Sequence, residues 1–216
     1  MSIGVPEAAR RQGVSPQRVR AQIKHGRIWA SRQGRDWLID PASLPKDQRR
    51  SRPMSPRMAW AFIEMASGVL PQELDPAEAS RLRKRIERLR DSDQQASALR
   101  DWLPARARRM CFISKDLDLL RSDARLLLAG LSLPEAGLNS AGAVEAYVGA
   151  DELAGIVAQH MLREVPASRA DVVLHVVPAL NFDPHMPMLI AADLADYADQ
   201  YFREDARVSE LLGGLL

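Results

Sequence analysis

The chain has 216 residues, of which 46% are hydrophobic and 27% charged, a composition typical of a globular protein and not of a disordered or fibrous one. Its single cysteine, Cys111, excludes an internal disulfide, and the sequence has no apolar run long enough for a membrane span or a secretion signal. These features predict a cytoplasmic protein with no membrane partner.

The net charge of +2 is distributed unevenly along the chain. Residues 1–57 contain thirteen Lys or Arg and four acidic residues, a net charge of +9, which leaves −7 for the remaining 159 residues. Because net charge governs non-specific association, this pattern indicates an N-terminal part that binds a polyanion and a larger part with a different partner.

Two short helices are predicted near the N-terminus. The first covers residues 6–12, and the second begins with Ser15 as its N-cap and Pro16 in its first turn. Val19 and Ile23 are four residues apart in the second helix, so both face inward. Two short helices joined by a glycine-containing turn predict a helix-turn-helix.

A β-hairpin is predicted over residues 27–40. Apolar residues on both sides flank a polar turn at Gln33 and Gly34, the pattern expected of two paired strands. The tip of the hairpin carries Arg32 and Arg35. It is therefore expected to form a basic wing beside the two helices.

The second helix and the wing carry the side chains expected to bind double-stranded DNA. Long Arg and Gln side chains near a helix N-terminus reach base edges in the major groove, whereas Lys24 and the wing arginines suit phosphates. Arg18 and Arg20 are the first candidates for base contacts. The complete predicted set, which includes the basic residues that follow the wing, is Ser15, Gln17, Arg18, Arg20, Gln22, Lys24, Arg32, Gln33, Arg35, Arg49, Arg50 and Arg52.

The segment after the wing predicts a linker, because it contains three prolines and no apolar periodicity. Its arginines could enter a minor groove, although a solvated tether is the simpler interpretation. The predicted organisation is a winged helix-turn-helix domain at 1–45, a basic linker at 46–56 and a C-terminal domain at 57–216.

The C-terminal domain is expected to be mainly helical. Helices are predicted over about 56–67, 75–90, 93–102 and 115–131, after Asp151 and after Pro187, with Ser122 capping a fresh helix inside the fourth. Strands are predicted at 145–148 and in the β-branched run at 170–180, which is expected to be buried on both faces. The fold class is therefore mainly α with small β elements: a winged helix-turn-helix followed by a larger α+β domain.

The helix that follows Asp75 has charges on nearly all sides and only a thin apolar seam. Its basic residues could contact DNA or an acidic partner. The preferred interpretation is a solvated face in which these residues alternate with Glu78 and Glu87.

The sequence contains no GxGxxG, P-loop, GxSxG or HExxH motif. The nearest reactive constellation is His175, Asp183 and His185, with His160 nearby, and satisfied polar side chains are the preferred interpretation over a metal site. Cys111 lies in an apolar stretch and is expected in the core and not as a nucleophile. We therefore expect no catalytic residue, no cofactor and no metal.

Residues 5–44, VPEAARRQGVSPQRVRAQIKHGRIWASRQGRDWLIDPASL, resemble the excisionase-like, MerR-type winged helix-turn-helix family. The order of an EAA segment, a Gly-Val-Ser turn, an Arg-rich second helix, a Gly and a hairpin before a closing Leu carries the resemblance. It implies DNA binding. One departure is Ile28-Trp29, where the family commonly has an apolar residue followed by a small residue or Pro.

Residues 115–216 resemble antitoxins of the AbiEi type, from toxin-antitoxin pairs of the AbiE class. The similarity lies in the order and apolar pattern of LDLLRSDARLLLAGLS, EAYVGADELAGIVAQHML, ADVVLHVVPAL and LIAADLADYADQYFREDARVSELL. It implies an autorepressor of its own operon whose C-terminal domain counters a cognate nucleotidyltransferase toxin.

Three other interpretations remain open from the sequence: a stand-alone transcriptional regulator, an excisionase-like recombination accessory factor that contacts an integrase, and an enzyme that uses its N-terminal domain for targeting. A single small DNA-binding domain has limited affinity for one half-site. We therefore expect either a homodimer or binding to repeated sites.

Overall fold

The computed structural model describes residues 2–12, 15–24, 28–34, 36–43, 52–71, 74–137, 142–197 and 202–215, without the side chains of Gln12, Arg18, Gln33, Ala42 and residues 202–206. The chain divides into two compact units, which we call the N-terminal unit, Met1–Ser51, and the C-terminal unit, Arg52–Leu216.

The N-terminal unit begins with two helices, α1 (Val5–Gln12) and α2 (Pro16–Lys24), as the sequence predicts. An antiparallel hairpin follows, made of β1 (Ala30–Gln33) and β2 (Asp36–Ile39). Gly34 connects the two strands with φ +62°, a conformation that glycine adopts without strain.

Small and β-branched side chains form the core of this unit. Ala8 and Ala9 of α1 are buried against α2, whose Val19 is completely buried, while Ile28 and Ile39 contribute from the hairpin side. Ile3 adds a bridge to Ile39, so the start of the chain pairs with β2. Of the apolar residues in and beside the hairpin, Ile28, Trp37 and Ile39 therefore pack in this core, whereas Trp29 is exposed.

The C-terminal unit is a mixed α/β structure. Its helices are α3 (Pro56–Ala66), α4 (Pro76–Arg90), α5 (Gln95–Trp102), α6 (Leu117–Arg121), α7 (Leu153–Gln159), α8 (Pro187–Ala195) and α9 (Phe202–Leu215). Its strands are β3 (Arg108–Ile113), β4 (Leu126–Leu128), β5 (Val144–Gly149), β6 (Arg163–Glu164) and β7 (Val172–Val177).

These strands form one sheet in the order β4-β5-β7-β3-β6. β5 and β7 are parallel, with α7 between them in sequence, and the other neighbours are antiparallel. β5 and β7 are buried along their whole length, as the apolar runs predict.

The two faces of this sheet pack against different groups of helices. Alternate residues of β5 and β7, including Val144, Ala146 and Leu174, face a core that contains Ile156 of α7. Tyr147, on the other face of β5, packs in the larger core formed by α3, α4, α5, α8 and α9. Side chains at 145, 147 and 175 therefore point towards the larger core, because strand side chains alternate between faces.

The prediction of helix over 115–131, with a fresh helix beginning at Ser122, is wrong for the second part of this segment. Only Leu117–Arg121 is helical, and Ser122 ends this helix instead of capping a new one: its hydroxyl donates to the Leu119 carbonyl at 2.8 Å. The Leu-rich run that follows is β4, which pairs with β5. Pairing with a distant strand outweighs the helical preference of leucine.

The sheet is larger than the small β element that the sequence predicts. Strand β3, which includes Cys111, pairs with β7 from Arg108 to Phe112, and the short β6 pairs with its end. Cys111 is half-buried in this strand.

The start of α4 provides a test of local stability. Asp75 accepts a hydrogen bond from the Glu78 backbone N–H at 2.7 Å, and the Glu78 carboxylate accepts one from the Asp75 N–H at 3.3 Å. We expect Asp75→Ala to lower the free energy of unfolding by about 1 kcal/mol, because it leaves helix N–H groups without an acceptor. Asp75→Asn keeps an acceptor and should cost less than half as much in urea denaturation. Equal losses in the two variants would contradict this account.

Candidate nucleic-acid interface

One face of α2 presents polar side chains to solvent. Gln17, Arg20 and Lys24 are exposed at positions i, i+3 and i+7, whereas Val19 is completely buried on another side of the helix. With a rise of 1.5 Å per residue, this stripe is about 10 Å long. A helix with its side chains is about 10 to 12 Å in diameter, which fits a DNA major groove about 12 Å wide.

The charges on this stripe differ from those on α1. Arg10 and Arg11 both donate to the Glu7 carboxylate, at 2.5 and 3.0 Å, and the Arg10 guanidinium lowers the pKa of Glu7. Within the described part of the chain, Arg20 and Lys24 have no carboxylate partner. The cations of α2 are therefore available to an external anion, and those of α1 are already paired.

The hairpin adds one cation and two aromatic rings. Arg32 is exposed, and its guanidinium lies 6.0 Å from the centre of the Trp37 ring. Trp29 is 80% exposed, while its backbone N–H donates to the Ser43 hydroxyl at 3.1 Å. Trp29 was not among the predicted site residues. The sequence did contain a signal, because the family that residues 5–44 resemble commonly has a small residue or Pro at this position.

The remaining predicted residues are placed as follows. Ser15 is exposed at the start of α2, and Arg52 is exposed in the C-terminal unit. Gln22 is half-buried, and its Oε1 is buried with no hydrogen-bond partner among the described residues. The side chains of Arg18 and Gln33, and all of Arg35, Arg49 and Arg50, lie outside what the structure describes.

The C-terminal unit holds a second group of charges, which we call the buried cluster: Arg106, Glu145, Tyr147, His175, Asp193 and Asp196. Arg106 is 4% exposed and donates through Nε and Nη2 to Asp193 Oδ1, at 3.1 and 2.9 Å. Its Nη2 also donates to Asp196 at 2.6 Å, and the Tyr147 hydroxyl donates to Asp193 Oδ1 at 2.8 Å. Four polar groups from three distant parts of the sequence thus meet inside the unit.

The elements around the cluster explain its geometry. Arg106 lies in a 3-10 turn just before β3, and Asp193 lies in α8, which packs against the face of β5 that carries Tyr147. Tyr147 and His175 are register partners on β5 and β7, and their rings stack at 4.8 Å.

Glu145 and His175 form the second half of the cluster. His175 Nε2 lies 2.7 Å from Glu145 Oε1, and the Leu131 N–H donates to Glu145 Oε2 at 2.8 Å. Gly130 has φ +47°, and a Cβ there would lie 2.1 Å from Glu145 Oε2, so only glycine fits beside this carboxylate. Both Glu145 oxygens are therefore satisfied within the fold.

The cluster has the donor types of a metal site, since one atom each from Glu145, His175 and Asp193 lies within 4.8 Å of the other two. Burial raises the pKa of Asp193 to about 6, and its Oδ2 has no hydrogen-bond partner among the described residues. However, Glu145 and His175 already bond to each other, and the Arg106 guanidinium beside Asp193 repels a cation. This arrangement fits a structural charge network better than a metal centre.

The histidines of the predicted constellation are not assembled into one site. Each pairs with a different carboxylate: His160 with Asp123 at 2.7 Å, His175 with Glu145 at 2.7 Å and His185 with Glu135 at 2.9 Å. Asp183 accepts a hydrogen bond from the backbone of His185. The structure therefore shows each histidine ring beside its own carboxylate, while His160 Nδ1 is buried with no hydrogen-bond partner among the described residues.

The members of the buried cluster other than His175 were missed in the sequence. A signal existed, because Glu145, His175 and Asp193 each interrupt an otherwise apolar run. A charged residue that folds into such a run must find a partner inside the protein.

Comparison of the chain with protein-family models, with curated proteins and with solved structures finds no match. None of the helices that the structure describes combines the length and apolar character needed to cross a bilayer.

The buried cluster predicts a large effect of one substitution. Arg106→Met removes the cation that balances Asp193 and Asp196, and we expect it to lower the free energy of unfolding by about 3 to 5 kcal/mol. Arg108 is exposed two residues further on, so Arg108→Met is the control and should change stability by less than about 0.5 kcal/mol. Urea denaturation followed by circular dichroism measures both. Similar values for the two variants would show that the cluster does not stabilise the unit.

Proposed function

We propose that this protein is a DNA-binding antitoxin and transcriptional autorepressor of a toxin-antitoxin operon. In this proposal the N-terminal unit is a winged helix-turn-helix that binds operator DNA, with α2 in the major groove and the hairpin as the wing. The protein acts by binding and not by catalysis. The observation that carries the proposal is the exposed α2 stripe of Gln17, Arg20 and Lys24.

Charge supports a polyanionic partner for this unit. Residues 1–51 contain eleven Lys or Arg and four acidic residues, a net charge of +7, so residues 52–216 carry −5 of the total of +2. Arginine and glutamine on the exposed face of a helix are suited to base edges, and Arg32 on the hairpin is suited to phosphate. Binding through several such cations releases counterions from DNA.

The antitoxin part of the proposal rests on the resemblance of residues 115–216 to AbiEi-type antitoxins. The acidic C-terminal unit is then the part that counters a cognate nucleotidyltransferase toxin. A net negative charge disfavours non-specific contact with nucleic acid, which suits a unit with a protein partner. We also propose that the protein is a homodimer or binds repeated sites, because one small unit has limited affinity for a single half-site.

The first test is DNA binding by the α2 stripe. We expect the double variant Arg20→Gln/Lys24→Gln to bind the DNA upstream of its own gene at least tenfold more weakly in 0.1 M salt. The slope of log K against log salt concentration should become shallower by about 0.9, because Lys24 is assigned to a phosphate and Arg20 to a base edge. Fluorescence anisotropy with labelled duplex at several salt concentrations measures both quantities.

The control is Arg10→Gln/Arg11→Gln, which removes the same number of positive charges from α1. These arginines pair with Glu7, so the control should bind within about threefold of the unmodified protein. If the α2 variant binds as tightly as the unmodified protein, α2 is not the DNA-reading helix.

The second test separates repression from toxin control. We expect the full-length Arg20→Gln/Lys24→Gln protein to lose repression of a reporter placed behind its upstream DNA. The same protein should still restore growth of cells that express a nucleotidyltransferase encoded next to its gene, because the C-terminal unit is unchanged. If the unmodified protein does not protect these cells, the antitoxin role is wrong and a stand-alone regulator becomes the better interpretation. An integrase gene next to its own gene would instead favour a recombination accessory factor.

A further inference from the structure

A basic groove lies within the C-terminal unit, between the segment that leads into α3 and one face of α4. Its volume is about 610 Å³. Five basic side chains line it, and they are Arg52, Arg81, Lys84, Arg85 and Arg88. Such a concentration of positive charge is unexpected in a unit whose net charge is −5.

Carboxylates of the described residues do not balance the positive charges of this groove, although Arg85 lies 4.9 Å from the centre of the Trp102 ring. Glu78, the one acidic residue among the groove's lining residues, pairs with Arg57 at the start of α3. Within the described part of the chain, none of the five basic residues pairs with a carboxylate. Burial, together with the neighbouring Arg88 charge, lowers the pKa of Arg85. The groove therefore concentrates positive charge that an anion would stabilise.

The spacing along α4 matches an extended anion. Arg81, Lys84, Arg85 and Arg88 stand at i, i+3, i+4 and i+7, so they share one face over about 10 Å. Successive phosphates of one DNA strand advance about 3.4 Å along the helix axis. The face therefore has the length of about three phosphates.

The floor of the groove distinguishes between classes of partner. Of the three apolar side chains that line the groove, Met54 and Leu82 are only 6% and 2% exposed, and Met58 alone is partly exposed. An amphipathic acidic helix would need open apolar surface for its anchors. Phosphates need only the cations, so a phosphate backbone fits this groove better than an acidic helix.

We propose that this groove binds the phosphate backbone of DNA, as a second contact beyond the one made by α2. The proposal rests on the proposed DNA-binding function and extends it to the C-terminal unit. Arg52 also ends the basic segment whose Arg49 and Arg50 were predicted to bind DNA. The predicted DNA-binding residues therefore continue along the sequence from the N-terminal unit to the first residue of the groove. The groove arginines of α4, which are Arg81, Arg85 and Arg88, were interpreted from the sequence as part of a solvated face and are then part of the interface.

The test compares two pairs of arginines on the same helix. Arg81 and Arg88 line the groove, whereas Arg83 and Arg90 are exposed about half a turn away around α4, with the same seven-residue spacing. We expect Arg81→Gln/Arg88→Gln to bind the upstream DNA five- to tenfold more weakly in 0.1 M salt. Its salt slope should be shallower by about 1.8.

The control Arg83→Gln/Arg90→Gln removes the same charge from the same helix and should bind within twofold of the unmodified protein. Circular dichroism and thermal unfolding should be alike for both variants, since all four side chains are exposed. Equal loss in the two variants would overturn the proposal, because it would show only a general effect of net charge.

Comparing the α2 variant with the groove variant distinguishes DNA binding by the groove from DNA binding by α2. If Arg20→Gln/Lys24→Gln loses DNA binding while the groove variant keeps its affinity and salt slope, α2 reads DNA and the groove does not bind it. In that case an acidic protein partner becomes the better occupant. If the α2 variant keeps its affinity while the groove variant loses it, DNA binding through α2 is wrong and the groove contact stands.

Discussion

The interaction on which the C-terminal unit depends is the buried bond between Arg106 and Asp193. Arg106 precedes β3, and Asp193 is carried by α8, so the bond fixes a helix to the sheet across 87 positions of sequence. The Tyr147 hydroxyl, Asp196 and the backbone carbonyls of Leu103 and Ala192 also accept hydrogen bonds from this guanidinium. Removing a charge from water is costly, and inside a core the cost is offset only when every partner is in place. The packing of α8 on β5 therefore depends on charges as well as on apolar contact.

Arginine and lysine side chains at the surface differ in whether they have an acidic partner, as Arg106 does. Arg106 is enclosed by carboxylates, and Arg10 and Arg11 are paired with Glu7, whereas the cations on the exposed faces of α2 and α4 have no acidic partner in the described residues. An exposed, unpaired arginine costs little in water, but several on one face repel each other and attract a polyanion. The difference between paired and unpaired cations thus separates side chains that stabilise the fold from those available to bind.

Local signals in the sequence account for the features that it predicted well. The N-cap of α4, the glycine turn of the hairpin and the spacing of Val19 and Ile23 act over a few residues, so α2 and its exposed stripe could be predicted. The helix prediction for residues 122–131 was wrong because this segment contains β4. The partner of β4 is β5, whose first residue lies sixteen positions beyond the end of β4. The buried cluster was missed for the same reason: its contacts join residues that are 30 to 90 positions apart. Non-local pairing cannot be derived from periodicity.

The number of cations on one chain bears on how such a protein would reach useful affinity. The α2 stripe and the hairpin supply three described cations, Arg20, Lys24 and Arg32, and so few contacts to DNA support only weak binding. The affinity for DNA can be raised in two ways, which we call remedies: by a second copy of the chain, or by a second DNA contact from the same chain. A dimer doubles the contacts only above its dissociation constant, whereas a contact on the same chain acts at any concentration through a high effective local concentration. Under the proposed DNA contact, the α4 face would be the second remedy without excluding the first, and a protein that represses its own gene would benefit from binding that begins at low concentration.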